Sequence, residues 1–214
     1  MKGILIFYYL GGAGGKFIAN CLSYSGQVAF IDYDIALRND PAEYNCELLK
    51  TVPDSKLDRS WLARENGCYQ LFNSGVGYIK NTGEVPAGEP LNDLTQLTGQ
   101  WLPIMAHFGH EVVNIQRYFK DVPQRLIIVD AEPSFIDHAI RLKWEDPSHC
   151  LDLDRYDEFK HELKTLKYDY LFSNWTPLRP TAINDILEFA HWLDIPLDLT
   201  PAAEYINKYL AFHR

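Results

Sequence analysis

Ile4-Leu5-Ile6-Phe7-Tyr8-Tyr9 runs through Leu10 into Gly11-Gly12-Ala13-Gly14-Gly15-Lys16, and this junction decides the fold class. The first run is continuously apolar and rich in β-branched and aromatic side chains, as a parallel strand buried on both faces requires. After the glycines, Phe17-Ile18-Ala19-Asn20-Cys21-Leu22 places apolar groups at helical spacing, with Gly26 as a stop. Strand, glycine loop and helix in that order bring backbone N–H groups together on an anion at a helix N-terminus. Four glycines in six positions cost about 0.5–1 kcal/mol each relative to Ala. Lys16 in the first helical turn opposes the macrodipole by about 0.3–1 kcal/mol. A bound phosphate or sulfate relieves both costs; the plainer alternative is a flexible turn with a solvated lysine.

Set against the phosphate-loop pattern G-x-x-x-x-G-K-[ST], the first glycine falls on Leu10 and the Ser/Thr position on Phe17. The missing hydroxyl is the one that ordinarily holds Mg²⁺ beside the phosphates.

A chain of 214 residues with 47% hydrophobic and 23% charged residues fits one globular domain, here 1–214 with a helical and loop insertion at about 33–99. A net charge of −9 argues against nucleic acid and anionic membrane as partners, since both need a basic surface. Cys21, Cys46, Cys68 and Cys150 lack metal-ligand spacing, so reduced packing cysteines, no metal and a cytoplasmic location are expected. The apolar N-terminal run is too short for a membrane span.

Further along, Val28–Ile31 suits a short strand, and 42–49 and 56–72 are helix-compatible. The stretch 74–90 is rich in Gly, Pro and Asn and reads as a loop, with Tyr78 and Lys80 available to a substrate. Trp101 to Ala106 opens a new element in which Pro103 disturbs a regular strand, and Glu111 to Phe119 is helical. Arg125-Leu126-Ile127-Ile128-Val129-Asp130 is the strongest strand signal. Pro133 suits a first helical turn, and the apolar spacing continues through Lys143. Asp152–Lys167 is a charged helix, 168–172 a short strand, Thr181 a candidate helix cap, and Thr200-Pro201 the opening of a last helix. Alternating strands and helices predict an α/β three-layer sandwich with a mainly parallel central sheet.

Three blocks, 10–23, 104–143 and 170–198, resemble the P-loop sulfotransferase superfamily and cover about two fifths of the chain. The first, LGGAGGKFIANCLS, is similar to that family's loop for the 5′-phosphosulfate of the donor, 3′-phosphoadenosine 5′-phosphosulfate. The resemblance implies cofactor contacts from Gly11, Gly12, Ala13, Gly14, Gly15, Lys16 and Phe17. It implies His107 as general base, with His110 as its rival, and Lys16 neutralising charge on the bridging oxygen. The acceptor would be a small molecule or glycan bearing a hydroxyl or amine, and a homo-oligomer stays open. The family's 3′-phosphate positions, an Arg and a Ser, fall on Ala131 and Ala139, with Arg141 or Lys143 as substitutes.

Two alternatives stand beside this reading. A P-loop nucleotide kinase or NTPase would use Asp130 to organise Mg²⁺ and Glu132 as a base, against which Phe17 counts. A non-catalytic anion-binding or assembly protein would keep the scaffold, with aromatic residues, 14% of the chain and including Trp101, Trp144, Trp175 and Trp192, furnishing an interface or pocket.

Overall fold

The computed structural model describes residues 1–29, 99–144 and 150–212. The elements are β1 (Gly3–Tyr9), α1 (Gly15–Ser23), β2 (Trp101–Ala106), α2 (Gly109–Tyr118), β3 (Gln124–Ala131), α3 (Pro133–Trp144), α4 (Leu153–Leu163), β4 (Tyr170–Trp175), α5 (Ala182–Trp192) and α6 (Ala203–Phe212). The segments 42–49, 56–72 and 74–90, with Cys46, Cys68, Tyr78 and Lys80, lie outside the described residues, as does nearly all of the expected insertion at 33–99.

The described strands form one sheet in the order β2-β1-β3-β4, and every pair is parallel. The described residues therefore make an α/β fold with a four-stranded, all-parallel sheet flanked by helices. β1 is central: Ile6 pairs with Ile104 on one side and with Leu126 on the other. Ile4, Leu5, Ile6, Phe7 and Tyr8 are all fully buried. At about 1.5–3 kcal/mol for each such side chain, this one strand outweighs the entropic cost of the glycines that follow it.

Side chains alternate across the sheet, and their partners show which helix covers which face. Phe7 meets Phe189 of α5 edge-on at 6.2 Å, and α5 in turn contacts α1. Tyr8, on the opposite face, meets Phe159 of α4 at 5.0 Å. Helices thus lie on both sides, as right-handed crossovers in alternating directions require and consistent with the three-layer expectation.

Pro103 sits inside β2, paired with Leu5, and the edge explains why it is tolerated. Trp101 N–H donates to Gln27 C=O, and Trp101 C=O accepts from Ala29 N–H, each at 2.8 Å. Val28 thereby forms an isolated parallel bridge to Trp101, which is the described part of the strand expected at Val28–Ile31. Backbone groups alternate sides along a strand, so Pro103 turns its nitrogen toward this bridge and away from β1. The central ladder loses no hydrogen bond.

Two helix starts differ from the sequence reading, and a third lacks its expected capping bond. α2 begins at Gly109, two residues before Glu111, because the Glu111 carboxylate accepts from the N–H groups of His107 and Phe108 and ends the preceding strand there. Thr181 precedes α5 but is itself helical, and its side chain makes no capping bond. The cap expectation is overturned: Ala182 N–H closes a turn onto Arg179 C=O, so the helix is entered through a turn instead. α6 starts at Ala203 because Ala202 and Ala203 first close turns onto Leu199 and Thr200.

The core holds ionisable groups. Burial pushes the Cys21 thiol up, and it does the same to the Tyr209 phenol with help from the nearby Cys21 charge. Burial, then a hydrogen bond to Glu162, raises Tyr8. Each group stays protonated in the folded chain past the pH at which it ionises in the unfolded one, so above that pH the unfolded state holds fewer protons. Stability is then full below about pH 8.5, falls first as unfolded Cys21 ionises, and falls further above about pH 10 with the tyrosines. Urea midpoints measured from pH 7.5 to 10.5 should decline in that order, and Cys21→Ala should flatten the first segment.

Candidate functional site

With all strands parallel, their carboxyl ends open along one edge of the sheet, where ligands of such folds collect. Four connections meet there: the glycine loop after β1, His107–His110 after β2, Glu132 after β3, and 176–180 after β4.

The glycine loop folds back on itself, with Ala13 N–H donating to Leu10 C=O at 3.0 Å. Gly14 is the N-cap of α1, with φ 81° in the left-handed region and no side-chain capping bond. A Cβ there would lie 2.6 Å from the Trp175 ring, and one on Gly15 would lie 2.3 Å from the Tyr9 ring. A Cβ on Gly12 would press on Ile136 C=O and Ala139 of α3, whereas Gly11 is open. Three of the four glycines thus have a packing reason of their own. What remains for an anion is the helix start, whose first N–H groups have no acceptor within the helix. Lys16 is half-buried in that first turn, Ala13 is buried, and the buried Phe17 ring stacks on Tyr209 at 4.1 Å. Phe17 therefore faces the core, and its backbone is the part of it on the loop side.

Trp175 reaches the loop through a bulge. The β3–β4 register slips between Asp130 and Ala131, leaving Asn174 unpaired at φ 46°. Asn tolerates this conformation, and the extra residue puts Trp175 on the same face as Phe172, 6.1 Å away, and within 6.3 Å of Phe17. Bulges often re-aim a side chain beside a functional site.

His107 follows β2 and lies beside the strand that feeds the glycine loop. Its Nδ1 is 3.0 Å from the carbonyl oxygen of Tyr9, and its ring meets the Tyr9 ring edge-on at 4.8 Å. A carbonyl only accepts, so Nδ1 carries a proton, and in the neutral form of the ring the lone pair lies on Nε2. The buried Glu111 carboxylate accepts from the His107 and Phe108 N–H groups at 2.5 and 3.3 Å. His110 is exposed on α2, stacked on Phe108 at 5.5 Å.

On the opposite face from α1, α4 brings a polar group of residues to the sheet. The Tyr8 hydroxyl donates to Glu162, and Arg155 donates to the His107 carbonyl at 2.6 Å and to the Tyr8 hydroxyl at 3.2 Å. Lys160 pairs with buried Asp130 at 2.8 Å. Glu132 pairs with Arg179 at 2.6 Å at the mouth of a cleft of about 470 Å³ that Ser134, His138 and Thr176 also line.

Among the described side chains, which do not include that of Lys143, no basic group is brought to the remaining expected positions. Ala131 and Ala139 are buried, and Arg141 lies on an exposed helix face, bonded to Asp137 at 2.8 Å. Trp101 and Trp175 are buried, while Trp192 is 42% exposed.

Sequence reasoning missed Tyr8, Glu111, Arg155 and Glu162 as site residues, and named Trp175 only among the aromatics that could furnish an interface or pocket. Tyr8 carried a signal, because a hydroxyl in a strand covered on both faces needs a polar partner. Arg155 carried none within its charged helix. Compared with known proteins, the chain matches no family model and no curated sequence.

Because Gly14 is both left-handed and pressed on an indole, Gly14→Ala should cost about 2–4 kcal/mol. Gly11→Ala should stay within about 0.5 kcal/mol. Urea denaturation of the two variants checks the contrast.

Proposed function

We propose that this chain is a sulfotransferase-like enzyme that moves a sulfuryl group from 3′-phosphoadenosine 5′-phosphosulfate to a hydroxyl or amine acceptor. The observation that carries the reading is the bond from His107 Nδ1 to the Tyr9 carbonyl. It ties an imidazole with a basic Nε2 to the last residue of the strand that leads into the glycine loop.

The residues fit the phosphosulfate end of the donor. An α1 start without a side-chain cap offers backbone N–H groups from Gly14 onward, and Lys16 adds a positive charge in the first turn. At the 3′-phosphate end the described side chains do not fit, since Ala131 and Ala139 present no donor and Arg141 is turned to Asp137, while the Lys143 side chain lies outside the described ones. No recognition step is assigned to those positions.

When bound, the donor supplies the sulfuryl group and a stable bisphosphate leaving group. His107 Nε2 accepts the proton of the acceptor as its oxygen or nitrogen bonds to sulfur. Lys16 would neutralise the charge left on the donor's bridging phosphate oxygen when the electron pair of the sulfur–oxygen bond departs with it. His110, exposed and stacked on Phe108, is the weaker candidate for base.

The nucleotide kinase reading requires Asp130 and Glu132 to serve Mg²⁺ and water. Both carboxylates are instead held by basic side chains, Lys160 and Arg179, and Phe17 supplies no hydroxyl. These pairings favour sulfuryl transfer.

Thermal unfolding with adenosine 3′,5′-bisphosphate, and with ATP with and without Mg²⁺, tests the reading. The bisphosphate should stabilise the chain regardless of Mg²⁺, by about 2.7 kcal/mol at a hundredfold excess over Kd. Lys16→Ala should remove most of that shift, and His107→Ala should keep it while abolishing transfer. Stabilisation by Mg²⁺-ATP alone would establish the kinase reading, and indifference to both nucleotides would leave a non-catalytic protein.

A further inference from the structure

We propose that Arg155 is the positioning residue for His107, holding the imidazole in the one tautomer that can act as a base. This rests on the catalytic role given to His107 above, and it assigns a function to a helix that the sequence presents as merely charged.

Three consecutive residues after β2 are held by α4. The Arg155 Nη2 donates to His107 C=O at 2.6 Å. The guanidinium lies over the Phe108 ring at 4.7 Å from its centre. Glu162 fills the space beside Gly109, where a Cβ would come within 2.7 Å of its carboxylate. Arg155 is itself fixed: its side chain is only 15% exposed, its Nη1 reaches Glu158 and Glu162 at 3.0 and 3.3 Å, and its Nη2 also meets the Tyr8 hydroxyl at 3.2 Å. Glu111 grips the His107 amide from the other direction.

The backbone at residue 107 is thus clamped at its N–H and its C=O by two charged side chains. With the main chain fixed, the ring hangs where Nδ1 meets Tyr9 C=O at 3.0 Å, and the proton is kept off Nε2. Loss of the clamp on the carbonyl lets the residue rotate and the Nδ1 bond lapse. The ring then returns toward the Nε2–H form that unconstrained histidines favour, which has no lone pair at the catalytic nitrogen. A lysine cannot substitute, because a single ammonium cannot span the carbonyl, the phenol and two carboxylates while lying flat on an aromatic ring.

Long-range ¹H–¹⁵N spectra of the full chain at pH 8, with His107 assigned by its loss in His107→Ala, read the tautomer directly. The unsubstituted chain should show His107 nearly all as Nδ1–H. Arg155→Gln and Arg155→Lys should both reduce that form to a minority, whereas Glu158→Gln, which touches only the outer edge of the guanidinium, should not. An unchanged Nδ1–H signal in both Arg155 variants overturns the proposal. A signal lost in Arg155→Gln but kept in Arg155→Lys also overturns it, since charge alone would then suffice. If those variants do not fold, Phe108→Leu removes the ring beneath the guanidinium, and an unshifted tautomer there counts against the proposal equally. Calorimetry with adenosine 3′,5′-bisphosphate on the unsubstituted chain separates the two ideas: absence of binding defeats the sulfotransferase reading and leaves the tautomer result standing.

Discussion

β1 is bonded to a parallel neighbour along each edge and covered on each face, so it has no freedom to shift. A one-residue slip would exchange Phe7 and Tyr8 between layers, putting a phenol against Phe189 and an apolar ring against Glu162 and Arg155. That constraint fixes where Tyr9 ends, and every part of the edge is measured from there. The glycine loop departs from it, His107 bonds to its carbonyl, and Gly15 passes beneath its ring.

The two faces of the sheet then do different work. On the side of α1, rings from Phe17, Phe172, Trp175, Phe189 and Tyr209 make an apolar packing layer that determines how close the loop can approach. On the side of α4, charged side chains reach the sheet and find partners there, as groups removed from water must. Asp130 with Lys160 and Tyr8 with Glu162 belong to this second layer. The acidic residue that a metal-nucleotide reading would use is committed to the layer opposite α1.

Strands were legible in the sequence because burial on both faces leaves a continuous apolar run, and β1 and β3 were located almost to the residue. The start of α3 was legible because Pro133 can open a helix but not continue one. Helix starts that depend on a distant carboxylate were not legible. Nothing local announces that Glu111 will cap the residues before it, or that Thr181 will be helical. The His107 environment was half legible: its place at a strand end followed from the pattern, but its tautomer depends on Tyr9, 98 positions away in sequence. Arg155 was hidden because an arginine flanked by acids reads as a solvated ion pair, and only the tertiary fold turns it inward.

The bulge at Asn174 has a consequence for how this protein tolerates change in length. Delete Asn174 and the tryptophan follows Ser173 directly, so plain alternation keeps the indole opposite Ala131 on the face of Phe172; add one residue there without a second bulge and its parity changes, sending the indole into the layer of Arg155 and Lys160 and emptying the space above Gly14. The join between sheet and glycine loop is therefore more sensitive to an insertion here than to a deletion, because residue number, and not chemical character, decides which compartment the tryptophan occupies.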